Sequence, residues 1–187
     1  MRRHSFRFLF AGALALIASA CASGPSYRTS IPGPFHILPA DLHGEAITGP
    51  PRIISAPAMQ CVPFARLRSG IEVWGDAHLW WQAAAAAGYV ETNQPSPGDV
   101  IVIRIGEAGD RGHVAYVKRV SSSREIYVDH ANWHGRQEVA VDIPIIDVSP
   151  NNDWSEVRVF WVDSGLMGAR TYSVEGFVRG HGALPGA

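Results

Sequence analysis

Three scarcities narrow the reading of this chain before any motif is considered. It has 2 cysteines in 187 residues, which is too few for a small scaffold stapled by several disulfides. Its 16 basic residues face 17 acidic ones, so it lacks the cationic excess that a nucleic-acid-binding face needs to neutralise phosphates. Charged residues make up only 18% of the chain, against the higher charge and lower hydrophobicity of disordered segments. What is present points the other way. Hydrophobic residues reach 47%, with 6 Trp, 7 Phe and 5 Tyr, enough to bury the core of one globular domain. No internal repeat is visible.

Arg2, Arg3 and Arg7 precede an apolar run from Phe8 to Ala18, and small residues close it before Cys21. The run is too short to cross a bilayer comfortably, so residues 1–20 read as a cleaved export signal peptide rather than a membrane anchor. The segment Ala18-Ser19-Ala20-Cys21 resembles a bacterial lipoprotein box, with Ala18 where that box usually has Leu. Acylation of Cys21 would tether the exported protein as a periplasmic or membrane-anchored lipoprotein; an ordinary Ala-x-Ala cleavage is the alternative. Loss of residues 1–20 removes three arginines and no acid, leaving 13 basic against 17 acidic residues. With Cys21 acylated, Cys61 would be an unpaired thiol in an oxidising compartment, which requires a reason; without acylation, a Cys21–Cys61 disulfide is the remaining use.

Residues 21–54 are rich in Pro, Gly and Ser and read as a linker with an irregular lead-in strand. From Cys61 the pattern becomes helical and stops at Gly70, with Pro63 tolerated in the first turn. A second helix is expected from Asp76 through Trp80 and Trp81 to the alanine run before Gly88. Beyond the turn cluster Pro95-Ser96-Pro97-Gly98-Asp99, β-branched runs at 100–105, 113–120, 125–132, 138–141 and 157–162 alternate with short polar breaks. Loops that short imply antiparallel neighbours, since parallel pairs need crossovers. The layout is therefore expected to be α+β, with the helices first. Residues 164–187, which hold six glycines and no clear period, read as a C-terminal tail.

Cys61 opens a helix, where unpaired backbone N–H groups stabilise a thiolate and favour a lowered pKa. His113 follows Gly112 at the start of a strand and is the candidate base. Strict alternation would put Val128, His130 and Asn132 on one face of the 125–132 strand and Asp129 on the other. Three histidines, His113, His130 and His134, raise a zinc alternative, but His130 and His134 could share a helical face only in a helix, and here they span a strand end and a loop. Trp74, Trp80 and Trp81 read as core residues rather than a platform for sugars. Trp133 lies beside the proposed site and reads as either groove lining or core. Asp76 and Asp99 read as cap and turn residues.

Gln60-Cys61 opening a helix, Pro97-Gly98-Asp99-Val100, the strand Gly112-His113-Val114-Ala115-Tyr116-Val117, and a strand ending in Asn132-Trp133 together resemble the CHAP family, the cysteine, histidine-dependent amidohydrolases/peptidases. The resemblance spans residues 55–163. It implies a papain-like α+β fold with N-terminal helices packed on an antiparallel sheet. It also implies a nucleophile at Cys61, a general base at His113, an oxyanion donor at Gln60, and a substrate in the peptide part of peptidoglycan, with no metal or organic cofactor. The family usually carries a carboxylate two residues before the Asn, and this chain has His130 there. Either Asn132 orients His113 or His130 stands in for the acid; Asn132 is the residue the pattern preserves. A non-catalytic wall-binding protein of the same fold, or an amidase for another peptide conjugate, is the alternative reading.

Overall fold

The computed structural model describes residues 49–106 and 111–180. The expected signal peptide, Cys21, most of the expected linker and the last seven residues lie outside them. The elements run β1 (Arg52–Ile54), α1 (Cys61–Ser69), a 3₁₀ turn (Ala77–Leu79), α2 (Trp80–Ala86), β2 (Val90–Thr92), β3 (Val100–Ile105), β4 (Arg111–Ser122), β5 (Glu125–Ala131), β6 (Val139–Asp147), β7 (Glu156–Trp161), β8 (Leu166–Met167) and β9 (Tyr172–Arg179).

Every strand pairing is antiparallel. The strands follow the order β6-β5-β4-β3-β9-β7, and β7 pairs again with β6. That second pairing closes a six-stranded barrel. The expected α+β layout, with N-terminal helices packed on an open antiparallel sheet in a papain-like arrangement, is therefore corrected. Among the described residues 44% are strand and 15% helical, and the protein is mostly β. The reason lies at the C-terminal end of the chain. Tyr172–Arg179, expected within a tail, forms β9 and sits between β3 and β7, supplying the strand that an open sheet would lack.

Strands β3, β4 and β9 alternate between two apolar surroundings. Ile101 and Ile103 of β3, Ala115 and Val117 of β4, Ile126 and Val128 of β5, Ile143 and Ile145 of β6, Val157 and Val159 of β7 and Phe177 of β9 form one cluster. Because all six strands contribute to it, this cluster is the barrel interior. Val100, Val102, Val114 and Val178, the residues of opposite parity, join Ala65, Ile71, Trp80 and Ala84 in a second cluster beneath the helices. Both faces of β3 are thus buried over Val100–Ile103, which explains its unbroken Val/Ile run.

The helices are short, at nine and seven residues, and too small to form a layer. α1 lies on β4 and β5, while α2 lies near β2 and β9. Gly70 ends α1 with φ 71°, and its N–H bonds the carbonyl of Arg66, a left-handed cap that a residue with Cβ adopts reluctantly. Three ties pin α1 to β5 and the loop after it. At its C-terminal end, Arg68 Nη2 lies 3.0 Å from Asp129 Oδ2. At its N-terminal end, Asn132 Nδ2 donates to Gln60 Oε1 at 2.5 Å, and the N–H of Met59 donates to the carbonyl of Gln137 at 2.9 Å. Asp129 is buried, and its other oxygen accepts the N–H of Asp142 at 3.0 Å. Asp142, at φ 57°, marks the irregularity where β5 and β6 lose register between Val128 and His130.

Candidate active site

The site is assembled where α1 meets β4 and the end of β5. A groove of about 920 Å³ is lined by Gln60, Cys61, Asp76, His78, Gly112, His113, Asn132, Trp133 and His134, with Arg66 and Trp74 as well as Arg111 and Trp161 completing its walls. Five of the residues expected from the sequence, Gln60, Cys61, His113, Asn132 and Trp133, therefore share one cavity. His130 is buried and bonded to His113.

Cys61 is the first residue of α1, partly buried and, among the described residues, free of any disulfide. The expected lowering of its pKa is corrected. The backbone N–H groups of Val114, Val62 and Cys61 itself favour the thiolate, but burial outweighs them and pushes the thiol up. The helix start supplies the stabilisation the sequence implied, and desolvation is the larger effect.

His113 pairs with Ile103 across the β3–β4 ladder and continues the inward-facing row of Ala115 and Val117, so it sits at one end of the barrel interior. Its Nε2 lies 3.1 Å from Nδ1 of His130. The two rings are perpendicular, with centroids 5.0 Å apart, the orientation that lets one ring nitrogen point at the other. Trp133 covers both: it stacks on His130 at 5.6 Å with a 22° interplanar angle, and meets His113 edge-on at 4.8 Å. Its far side abuts Tyr172 of β9. Trp133 thus lines the groove and packs on the barrel core at once. Burial lowers the His113 pKa to about 3 and that of His130 well below its usual value, with His113 and His134 adding to the depression of His130. Both rings are neutral at ordinary pH.

Asn132 lies beyond the end of β5 with φ 61°, a left-handed conformation that Asn tolerates better than most residues. That twist takes its side chain out of the alternation expected to align it with His130. Its Nδ2 holds Gln60, and its Oδ1 accepts the N–H of Gln137 at 2.8 Å. With its carbonyl oxygen engaged, Gln60 keeps the NH₂ end of its amide for another acceptor. Of the two partners considered for His113, it is His130 whose side chain bonds the ring.

Several groove residues carried no distinguishing signal in the sequence. Trp74, expected in the core with Trp80 and Trp81, is 69% exposed, with the guanidinium of Arg66 3.2 Å above its ring. Trp161, at the end of β7, stacks on His134 at 4.6 Å, while Nδ1 of His134 lies 3.0 Å from Glu138. Among the described residues no group of three His, Cys, Asp or Glu side chains is arranged to hold a metal ion. Asp99 fills the expected turn role, accepting the N–H of Ser96 at 2.8 Å and pairing with Arg179 at 2.9 Å.

A cysteine at a helix start against the wall of a closed barrel, facing a groove that a buried histidine also lines, defines a compact Cys/His site. Residues 54–132 match the CHAP domain family. It is 38% identical over 80 residues to the staphylococcal secretory antigen SsaA of Staphylococcus epidermidis, covering 41% of this chain and 30% of that protein. It is 36% identical over 77 residues to the secretory antigen ssaA2 of Staphylococcus aureus, covering 40% of this chain and 28% of that protein. The match thus spans less than a third of the length of these curated relatives. A crystal structure of an N-acetylmuramoyl-L-alanine amidase from Staphylococcus aureus aligns with a TM-score of 0.39 and 25% identity, over 51% of this chain and 31% of that one.

Proposed function

We propose that the protein is an exported cysteine amidohydrolase that cleaves amide bonds in the peptide part of peptidoglycan. The observation that carries this reading is the shared groove, which places a free thiol at a helix start and a neutral imidazole within one cavity, in a chain whose residues 54–132 match the CHAP domain family. In this mechanism His113 takes the Cys61 S–H proton as the sulfur attacks the amide carbonyl, then returns that proton to the leaving amine. Water hydrolyses the resulting thioester. Because both partners are neutral beforehand, the proton moves during attack rather than residing on His113 in advance. Gln60, turned by Asn132, and the N–H groups at the start of α1 are suited to receive the oxyanion. The export reading rests on the leader motif of residues 1–20 and accords with relatives named as secretory antigens; acylation of Cys21 would add a membrane tether.

Purified wild-type protein and its Cys61→Ala variant, incubated with isolated peptidoglycan, test the reading by mass spectrometry of the released fragments. The wild type is expected to generate new amine and carboxyl ends that the variant does not. Equal cleavage by Cys61→Ala overturns the assignment. Wall binding by a wild type that releases no fragments would point to a non-catalytic binding protein, and loss of cleavage with a chelator but not with iodoacetamide would point to metal-dependent hydrolysis.

A further inference from the structure

We propose that His130 is the positioning residue of His113, accepting the Nε2 proton of His113 at its own Nδ1 and so leaving Nδ1 of His113 as the basic nitrogen. The inference rests on the reading of Cys61 and His113 as nucleophile and base.

The contact between the two rings is a single 3.1 Å approach, Nε2 of His113 to Nδ1 of His130. One proton can occupy it, and either ring can supply that proton. If His130 donates, His113 must carry its own proton on Nδ1 and has no lone pair to take one from a thiol. If His113 donates, Nδ1 is bare and can accept. Only the second arrangement is competent for proton abstraction. A carboxylate in this place could only accept, so it would impose the competent arrangement without choice. An imidazole imposes it only while its own proton sits on Nε2, and it brings no negative charge to stabilise an imidazolium.

The surroundings agree with a neutral pair. Trp133 stacks on His130 and closes the edge of His113. The titratable groups lining the adjoining groove are Cys61 and Arg66 on α1, Asp76 and His78 around the 3₁₀ turn, Arg111 on β4 and His134 after β5, with Tyr172 of β9 behind Trp133. No carboxylate contacts either ring among the described residues. His130 is thus built as an oriented neutral acceptor, and full thiolate–imidazolium formation before attack is disfavoured.

The test needs no substrate. In protein labelled with ¹⁵N-histidine, long-range ¹H–¹⁵N correlation at neutral pH is expected to show His113 protonated at Nε2 and bare at Nδ1, with His130 in the same tautomer, bare at Nδ1 and protonated at Nε2. Protonation of His113 at Nδ1 overturns the proposal. Two variants give a second reading, with folding checked by circular dichroism. His130→Phe removes the acceptor and is expected to lower kcat/KM about 10²–10⁴-fold with little change in KM. His130→Asp restores an acceptor and adds charge, so it should recover activity relative to His130→Phe and move Cys61 alkylation by iodoacetamide to lower pH. Unchanged kcat/KM in His130→Phe, or an alkylation profile in His130→Asp that coincides with wild type, overturns the proposal. Because the tautomer is read without turnover, a failed peptidoglycan assay leaves it separately decidable.

Discussion

Asn132 and Gln60 are 72 residues apart in sequence, yet the side-chain amide of one holds the side-chain amide of the other at 2.5 Å. The bond fixes which end of Gln60 is available beside Cys61. If Gln60 is the oxyanion donor, Asn132 acts by keeping its NH₂ group turned outward. Asn132→Ala should then lower kcat about 10-fold or more, and Gln60→Ala about 10²–10³-fold, the usual loss for one oxyanion donor. The double variant should be no worse than Gln60→Ala alone, because Asn132 has nothing left to orient. Additive losses in this cycle would show that Asn132 acts elsewhere, for example on the loop through Gln137.

Gly112 precedes the proposed base, and its importance is steric. A Cβ placed there would lie 2.5 Å from the backbone N of His78 and 2.6 Å from the carbonyl carbon of Ala77. Backbone atoms cannot swing aside as a side-chain tip can, so Gly112→Ala must push the 3₁₀ turn away from β4. We expect a destabilisation of about 1–3 kcal/mol by urea unfolding, with activity falling further than stability as the groove wall moves. A variant with wild-type midpoint and wild-type activity would refute this.

The pH dependence of stability follows from the buried histidines. An unfolded His binds a proton near pH 6.5, whereas folded His113 does so only at about 3, and folded His130 is shifted in the same direction. Between those values the unfolded chain holds more protons, so stability is retained above pH 6.5 and lost as pH falls, by about 1.4 kcal/mol per pH unit for each ring. Asp129, raised by burial, opposes this just above its ordinary range. Urea unfolding from pH 7 to pH 4 should show a steep decline, and His113→Gln should remove about one proton from its slope. A slope unchanged by that variant would mean that His113 titrates normally in the folded protein.

Much of this architecture was legible and the remainder failed for identifiable reasons. The start of α1 at Cys61 and its stop at Gly70 were readable because cap chemistry is local. β3, β4 and β5 were readable because their Val/Ile content and short connections leave few alternatives. β9 was not, since Gly176 and the polar Ser173 and Glu175 interrupt its apolar residues, and its place between β3 and β7 is decided by barrel closure rather than by local propensity. In the site, the nearness of Cys61, His113 and Gln60, which share one groove, could be read from their local motifs. The partnership of His113 with His130 could not be separated from that with Asn132, because alternation treats both as facing one way. Only the left-handed φ of Asn132 separates them, and a single backbone torsion leaves no periodic trace. The thiol's raised pKa was equally hidden, because burial depends on which strand the helix lies against.

β5 carries Asp129, which anchors the far end of α1, then His130 against His113, and just beyond the strand Asn132, holding Gln60. Three consecutive alignments thus hang on one register. A slip of β5 by one residue against β4 would misplace all three together, since each side chain would change face. Cys61 would lose its fixed seat at the moment His113 lost its partner. The Cys61–His113 groove therefore exists as a unit or not at all, and a partly zipped chain would hold neither side of it in place.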